Sequence, residues 1–186
     1  KDIKECITLA YPFAKNKIFN VKYSIDSKKF NLKVKKDNLI TYMPRKLSKH
    51  SELIISFLNN SLPKNWKIKA IDNLSEKEVY STLEKSKIFL AFSNLEGLPL
   101  PPIEAALSGN KVIGYTGEGG REYWKEPIFT EVKTAEIKNF CQKILLNVNY
   151  DFNNFKKNTT RQRKKISILF SVENEKKYIN KFLKNV

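Results

Sequence analysis

From residue 39 to residue 115 the chain alternates short apolar runs with longer segments whose apolar residues recur at helical spacing, and this alternation limits the fold more than any other feature. "LITYM" (39–43), "WKIKAI" (66–71), "IFLAFS" (88–93) and "KVIGY" (111–115) read as strands. Between the first two, Leu53, Ile54, Phe57 and Leu58 share a helical face that Pro63 closes. Ser75, with Glu78 three residues on, has the pattern of a capping box and opens a helix that ends near Ser86. After the third run a helix is expected from Pro102 to about Ser108, stopped by Gly109. The alternating stretch 18–25 reads as a further strand and 127–132 as an edge strand, with helices over about 135–146, 153–169 and 173–183. Strands and helices in this order predict an α/β fold, a Rossmann-like doubly wound parallel sheet with helices on both faces.

In such sheets ligands bind beyond the carboxyl ends of the strands. The candidate loops are therefore 44–50, 72–75, 93–101 and 116–124. The third opens "LEGLPLPPIEAALSG" (95–109), in which Glu96 and Glu104 are separated by seven residues, three of them proline. Glu104 is expected in the first turn of its helix, where the dipole would keep it ionised and ready to accept hydrogen bonds from a hydroxyl pair such as that of a ribose. Pro101 and Pro102 remove backbone N–H donors from that helix start, so an anion must find donors elsewhere. "PRKLSKH" (44–50) offers Arg45, Lys46 and Lys49, and "TGEGGREY" (116–123) offers backbone amides at Gly117, Gly119 and Gly120 with Arg121. Plainer readings stand beside these: Glu96 a loop acid, Glu104 a surface acid, the prolines a rigid turn, the glycines an ordinary turn, and the cations a solvated surface. His50, the single histidine, fits a helix-start or surface role, Cys141 a core position, and "RQRKK" (161–165) a solvated helix face.

With 186 residues the chain can bury one sizeable core. Cys6 and Cys141 have neither disulfide-framework nor zinc-site spacing, and no metal or other cofactor is implied. No apolar run is long enough to span a membrane. The formal net charge of +16 suits an anionic ligand or an anionic membrane surface, and equally a lysine-rich solvated surface. Nucleic acid is disfavoured because helix-turn-helix, zinc and aromatic ribonucleoprotein-like signals are missing.

Taken in order, these segments resemble the carboxy-terminal domain of group 1 glycosyltransferases, a retaining family of the GT-B fold. The likeness runs through "VKYSIDSKKF" (21–30), "ITYMPRKLSKHSELI" (40–54), "EGLPLPPIEAALSG" (96–109), "KVIGYTGEGGREYW" (111–124) and "ISILFSVENEKKYINKFL" (166–183). The third segment is similar to the family's glutamate, seven residues, glutamate motif. The resemblance implies that Glu104 binds the ribose of a nucleotide-sugar donor, that Glu96 faces the donor sugar, that the backbone of Gly97, Leu98, Pro99 and Leu100 lines the sugar, and that Arg45 and Lys49 hold the diphosphate, aided by Gly119 and Gly120. Pro44 and His50 replace family glycines, leaving open which of Arg45, Lys46 and Lys49 touches phosphate, and Leu98 and Pro99 depart from the common pattern at the sugar loop.

The expected organisation is residues 1–17 as a segment arriving from an amino-terminal domain, 18–165 as the nucleotide-sugar-binding domain, and 166–186 as a closing helix returning towards that missing domain. The implied activity is sugar transfer with retention to a glycan or lipid-linked acceptor, in the cytoplasm and peripherally at the inner membrane face, with this piece inactive alone. The alternatives are a non-catalytic nucleotide-binding module, another GT-B enzyme of the phosphorylase or epimerase kind, or a basic domain that binds membrane or nucleic acid.

Overall fold

The computed structural model describes residues 2–184; Lys1, at the start of the expected arriving segment, and residues 185–186, at the end of the closing one, lie outside the described residues. Five strands form one sheet: β1 Leu39–Tyr42, β2 Lys67–Ala70, β3 Ile88–Glu96, β4 Lys111–Glu118 and β5 Phe129–Glu131. Their order is β2-β1-β3-β4-β5 and every neighbouring pair is parallel. The helices are α1 Asp2–Ala10, α2 Ser48–Asn59, α3 Glu76–Lys85, α4 Leu100–Leu107, α5 Ile137–Val148, α6 Phe152–Asn158, α7 Thr160–Leu169 and α8 Val172–Leu183. The doubly wound α/β fold is thus the one the alternation predicts.

The central strands are apolar on both faces because both are covered. Ile88, Leu90 and Phe92 of β3 join Ile54 and Leu58 of α2 and Phe140 and Ile144 of α5, whereas Phe89 and Ala91 point the other way, to Leu83 of α3 and Ile103 of α4. β2 lies at an edge, and its lysines Lys67 and Lys69 stand on the exposed chain there, which discourages pairing with another sheet. The predicted capping box of α3 is present: the Ser75 hydroxyl accepts from Glu78 N while the Glu78 carboxylate receives Ser75 N at 2.8 Å.

Three expectations are corrected. Residues 18–25 are no strand; they run as irregular extended chain, and Ile25 N donates to Phe170 O of the helical layer at 2.8 Å. Their alternation reflects a half-buried path across helices rather than a place in the sheet. The single helix expected over 153–169 is two, broken at Thr159, whose hydroxyl donates back to Phe155 O at 2.7 Å. Finally, α4 begins at Leu100, so Glu104 is its fifth residue and lies beyond the first turn.

Candidate functional site

In this strand order the direction of winding reverses between β1 and β3, which opens a crevice beyond their carboxyl ends. Two of the candidate loops meet there. The β1–α2 connection carries Arg45, Lys46 and Lys49, all exposed, and the end of β3 carries Glu96. The Lys46 ammonium forms an ion pair with the Glu96 carboxylate across the reversal, and both residues line a narrow cleft with Met43, Ser93, Pro101 and Pro102. Among the described residues Arg45 and Lys49 form no ion pair, and both are exposed on the connection that leaves β1.

Local backbone geometry at this end of the sheet is unusual. Five residues other than glycine have positive φ: Leu47 (48°), Asn73 (51°), Leu95 (38°), Glu118 (66°) and Ala135 (70°), one at or just past the carboxyl end of each strand in turn. Such conformations cost about 1–3 kcal/mol each and persist where surrounding packing enforces them, commonly at functional loops. At Leu95 the strain accompanies a register shift between Ser93 and Glu96, which lets β3 continue to Glu96 and pair it with Glu118 of β4.

The Gly119–Gly120 pair opens a short 3-10 helix, Gly119–Glu122, and both glycines are buried. A Cβ on Gly119 would run into the carbonyl of Gly97 and stand 2.6 Å from that of Glu96. Here glycine permits close approach of two backbones. The same turn brings Tyr123 against the 97–100 loop, where its hydroxyl donates to Pro99 O at 2.8 Å. That carbonyl, one of those expected to line a sugar, is therefore already occupied. Tyr123 was not singled out by sequence; only its place after the glycine pair could have drawn attention to it. We expect Tyr123→Phe to cost about 1–3 kcal/mol, because a buried carbonyl loses its donor, lowering the melting temperature by roughly 2–10 °C in a thermal melt.

Arg121 is engaged with Glu118, at 2.8 Å from its carboxylate, and Glu122 pairs with Lys22 of the irregular 18–25 segment. Burial lowers the Lys22 ammonium's pKa. A groove of about 260 Å³ runs beside Gly97 and Leu98, its far wall formed by Ile3 and Ile7 of α1 with Ile18 and Phe19. Leu98 and Leu100 also pack against the core, while Pro99 is buried. His50 has the structural place expected of it: in the first turn of α2 its Nδ1 lies 3.3 Å from the Tyr115 hydroxyl.

Glu104 has an environment different from the one its expected first-turn position implied. Half-buried, it faces Glu76 at the start of α3, with Lys29 and Tyr80 alongside. Burial pushes its carboxyl pKa up, the Glu76 charge adds to this, and Lys29 opposes it. Helix-dipole stabilisation fades within one turn, too soon to hold a fifth residue ionised. Glu76 is itself tied to Lys29 at 2.8 Å and accepts from the Tyr80 hydroxyl at 2.6 Å. This leaves Glu104 as a carboxylate in want of donors, beside the 72–75 loop that precedes α3. Among the described residues there is no group of three or more His, Cys, Asp or Glu side chains that could hold a metal ion, and no helix long and apolar enough to cross a membrane.

The fold has solved counterparts. A mutant of S. aureus TarM in complex with fondaparinux, alpha-GlcNAc-glycerol and UDP superposes with a TM-score of 0.67 at 18% identity, over 89% of this chain and 39% of that one. A second TarM structure gives 0.57 at 17% identity over 88% and 37%, and a GtfA/B complex 0.53 at 11% over 90% and 38%. The chain thus spans about two-fifths of the length of these proteins. No protein-family model matches it, and neither does any curated protein.

Proposed function

We propose that the chain is the donor-binding half of a retaining glycosyltransferase of the GT-B type, related to group 1 enzymes, which acts together with an amino-terminal domain on a glycan or lipid-linked acceptor. The observation that carries this reading is the crevice at the reversal between β1 and β3, where the β1–α2 connection that bears Arg45, Lys46 and Lys49 meets the end of β3 through the Lys46–Glu96 ion pair. The likeness to TarM, a glycosyltransferase solved with UDP, supports it.

In this reading the diphosphate of a nucleotide sugar lies against Arg45 and Lys49. As the bond from the anomeric carbon to the diphosphate oxygen breaks, its electron pair leaves with that oxygen, and the two cations stabilise the added charge. The acceptor hydroxyl oxygen bonds to the same face of the anomeric carbon, and its proton passes to the departing phosphate oxygen. Glu96 positions the sugar, the backbone of Gly97 to Leu100 lines it, and Gly119 and Gly120 support that loop by their close packing. Lys46 orients Glu96 and is close enough to share the phosphate. Glu104 receives the ribose hydroxyls, next to the 72–75 loop that would meet the base. The basic surface suits a peripheral position on the cytoplasmic side of an anionic membrane.

Calorimetric titration of UDP-, GDP- and ADP-sugars into the chain tests the assignment: one should bind, and Arg45→Ala should weaken it by roughly tenfold or more, the loss of one charge-assisted contact. If wild type binds none, the reading fails. The raised pKa of Glu104 adds a pH signature. Its carboxylate accepts from the ribose, so lowering the pH through that raised pKa protonates it and removes the acceptor. As the pH falls from neutral towards the ordinary carboxylate range, donor affinity should fall in wild type and stay flat in Glu104→Gln. Equal pH dependence in the two proteins would remove Glu104 from the ribose site.

A further inference from the structure

At the other end of α4 from the crevice, the 27–32 loop, α4 and α7 enclose a second pocket of about 340 Å³. Its cations are Lys156, Arg163 and Lys164, its hydroxyls Ser27, Thr160 and Ser167, and its apolar floor includes Phe30 and Leu107. Arg163 is only 6% exposed and, among the described residues, meets no carboxylate; it donates to the Thr159 hydroxyl and to Lys156 O at 2.5 Å. Two acceptors serve a group with five N–H donors. Lys156 donates to Leu32 O and likewise has no acid partner.

Behind them lies another cation. The Lys36 ammonium reaches Leu83 O at 3.1 Å, Ser108 O at 2.6 Å and Asn110 Oδ1 at 2.5 Å, and burial, with Lys156 and Arg163 nearby, pushes its pKa down to about 7. Glu84 opposes this shift only weakly, and its carboxylate already receives Asn31 N at 2.6 Å. Buried like charges without a counter-charge are costly, so this arrangement calls for an anion. The "RQRKK" run, which its sequence makes a solvated face, in fact turns Arg163 inward and leaves Lys164 at the pocket rim.

We propose that this pocket binds a phosphate group, clamped by Arg163, Lys156 and Lys164 and completed by the Ser27 hydroxyl, which accepts from Ser167 at 2.9 Å and keeps its own proton to donate. The volume holds roughly ten waters at ~30 Å³ each, more than a bare phosphate fills, and the apolar floor suits an organic substituent. A free phosphate and a phospholipid headgroup share this chemistry.

Inorganic phosphate titrated into the chain by calorimetry at constant ionic strength, and flotation with phosphatidylglycerol vesicles against phosphatidylcholine ones, distinguish the two sources. Saturable phosphate binding should weaken about tenfold or more in Lys164→Glu, whose exposed position keeps the fold intact. It should be unchanged in Lys165→Glu, an exposed neighbour with the same charge reversal outside the pocket. Capture on phosphatidylglycerol that Lys164→Glu abolishes and Lys165→Glu retains would identify the headgroup as the source, and saturable phosphate binding without capture a free anion. The proposal is overturned by absence of saturable binding to either probe, by equal losses in the two lysine variants, or by loss in Arg45→Ala alone.

Discussion

Gly119→Ala should unfold the chain at markedly lower temperature and disable the donor site together. The added Cβ meets two backbone carbonyls, those of Gly97 and Glu96, and neither is a flexible side-chain end that can swing aside. Relief requires the end of β3 to move, which breaks its pairing with Glu118 and displaces the carboxylate held by Lys46. Overpacking of this kind costs about 3 kcal/mol, or roughly 6–12 °C in melting temperature for a chain of this length. Gly120→Ala is the matched control: its nearest neighbour, the Pro99 Cγ at 3.2 Å, can yield by a few tenths of an ångström. Thermal melts and nucleotide-sugar titrations should therefore separate the two adjacent glycines, with a small shift and near-normal affinity at Gly120 and large losses at Gly119. Similar behaviour of both variants would mean that the pair acts as a turn rather than as a place of close contact.

The glycine pair also shows how far sequence reading reaches. The composition of "TGEGGREY" suggests flexible amides for an anion, whereas the folded chain buries both glycines against the loop at Gly97. A close approach between segments some twenty residues apart leaves no local pattern to read. The β-α alternation, by contrast, is local and repeated, so the sheet, its parallel sense and the capped start of α3 were legible. The same logic accounts for the errors. Period-two alternation at 18–25 marks one buried side but says nothing about what buries it, and there helices do so in place of strands. Glu104 follows two prolines, yet the helix begins before them at Leu100, and its acidity is set first by burial and then by Glu76 and Lys29, all of which depend on parts of the chain distant in sequence. Arg163 was indistinguishable from its solvated neighbours because one turn of helix decides which cation faces inward.

The largest catalytic effect is expected at Arg45. In the proposed transferase, assayed with its amino-terminal domain, Arg45→Ala should lower kcat by about 10²–10³, the usual consequence of removing a preorganised group that meets charge only as it develops. The basis is its position: it is exposed on the β1–α2 connection, without an ion pair among the described residues, so its removal leaves no buried partner stranded and should hardly change the melting temperature. Lys49→Ala should act in the same direction from the first turn of α2. Lys46→Met should differ in kind, since it frees the Glu96 carboxylate that Lys46 holds, and its effect should fall on KM for the sugar donor more than on kcat. Arg45→Lys restores the charge but not the planar fork, so only partial recovery is expected if the diphosphate is gripped by two parallel hydrogen bonds. Steady-state kinetics with the donor varied would resolve these three behaviours. A fall confined to KM in Arg45→Ala would assign the arginine to ground-state binding and leave the departing charge to Lys49 and its neighbours.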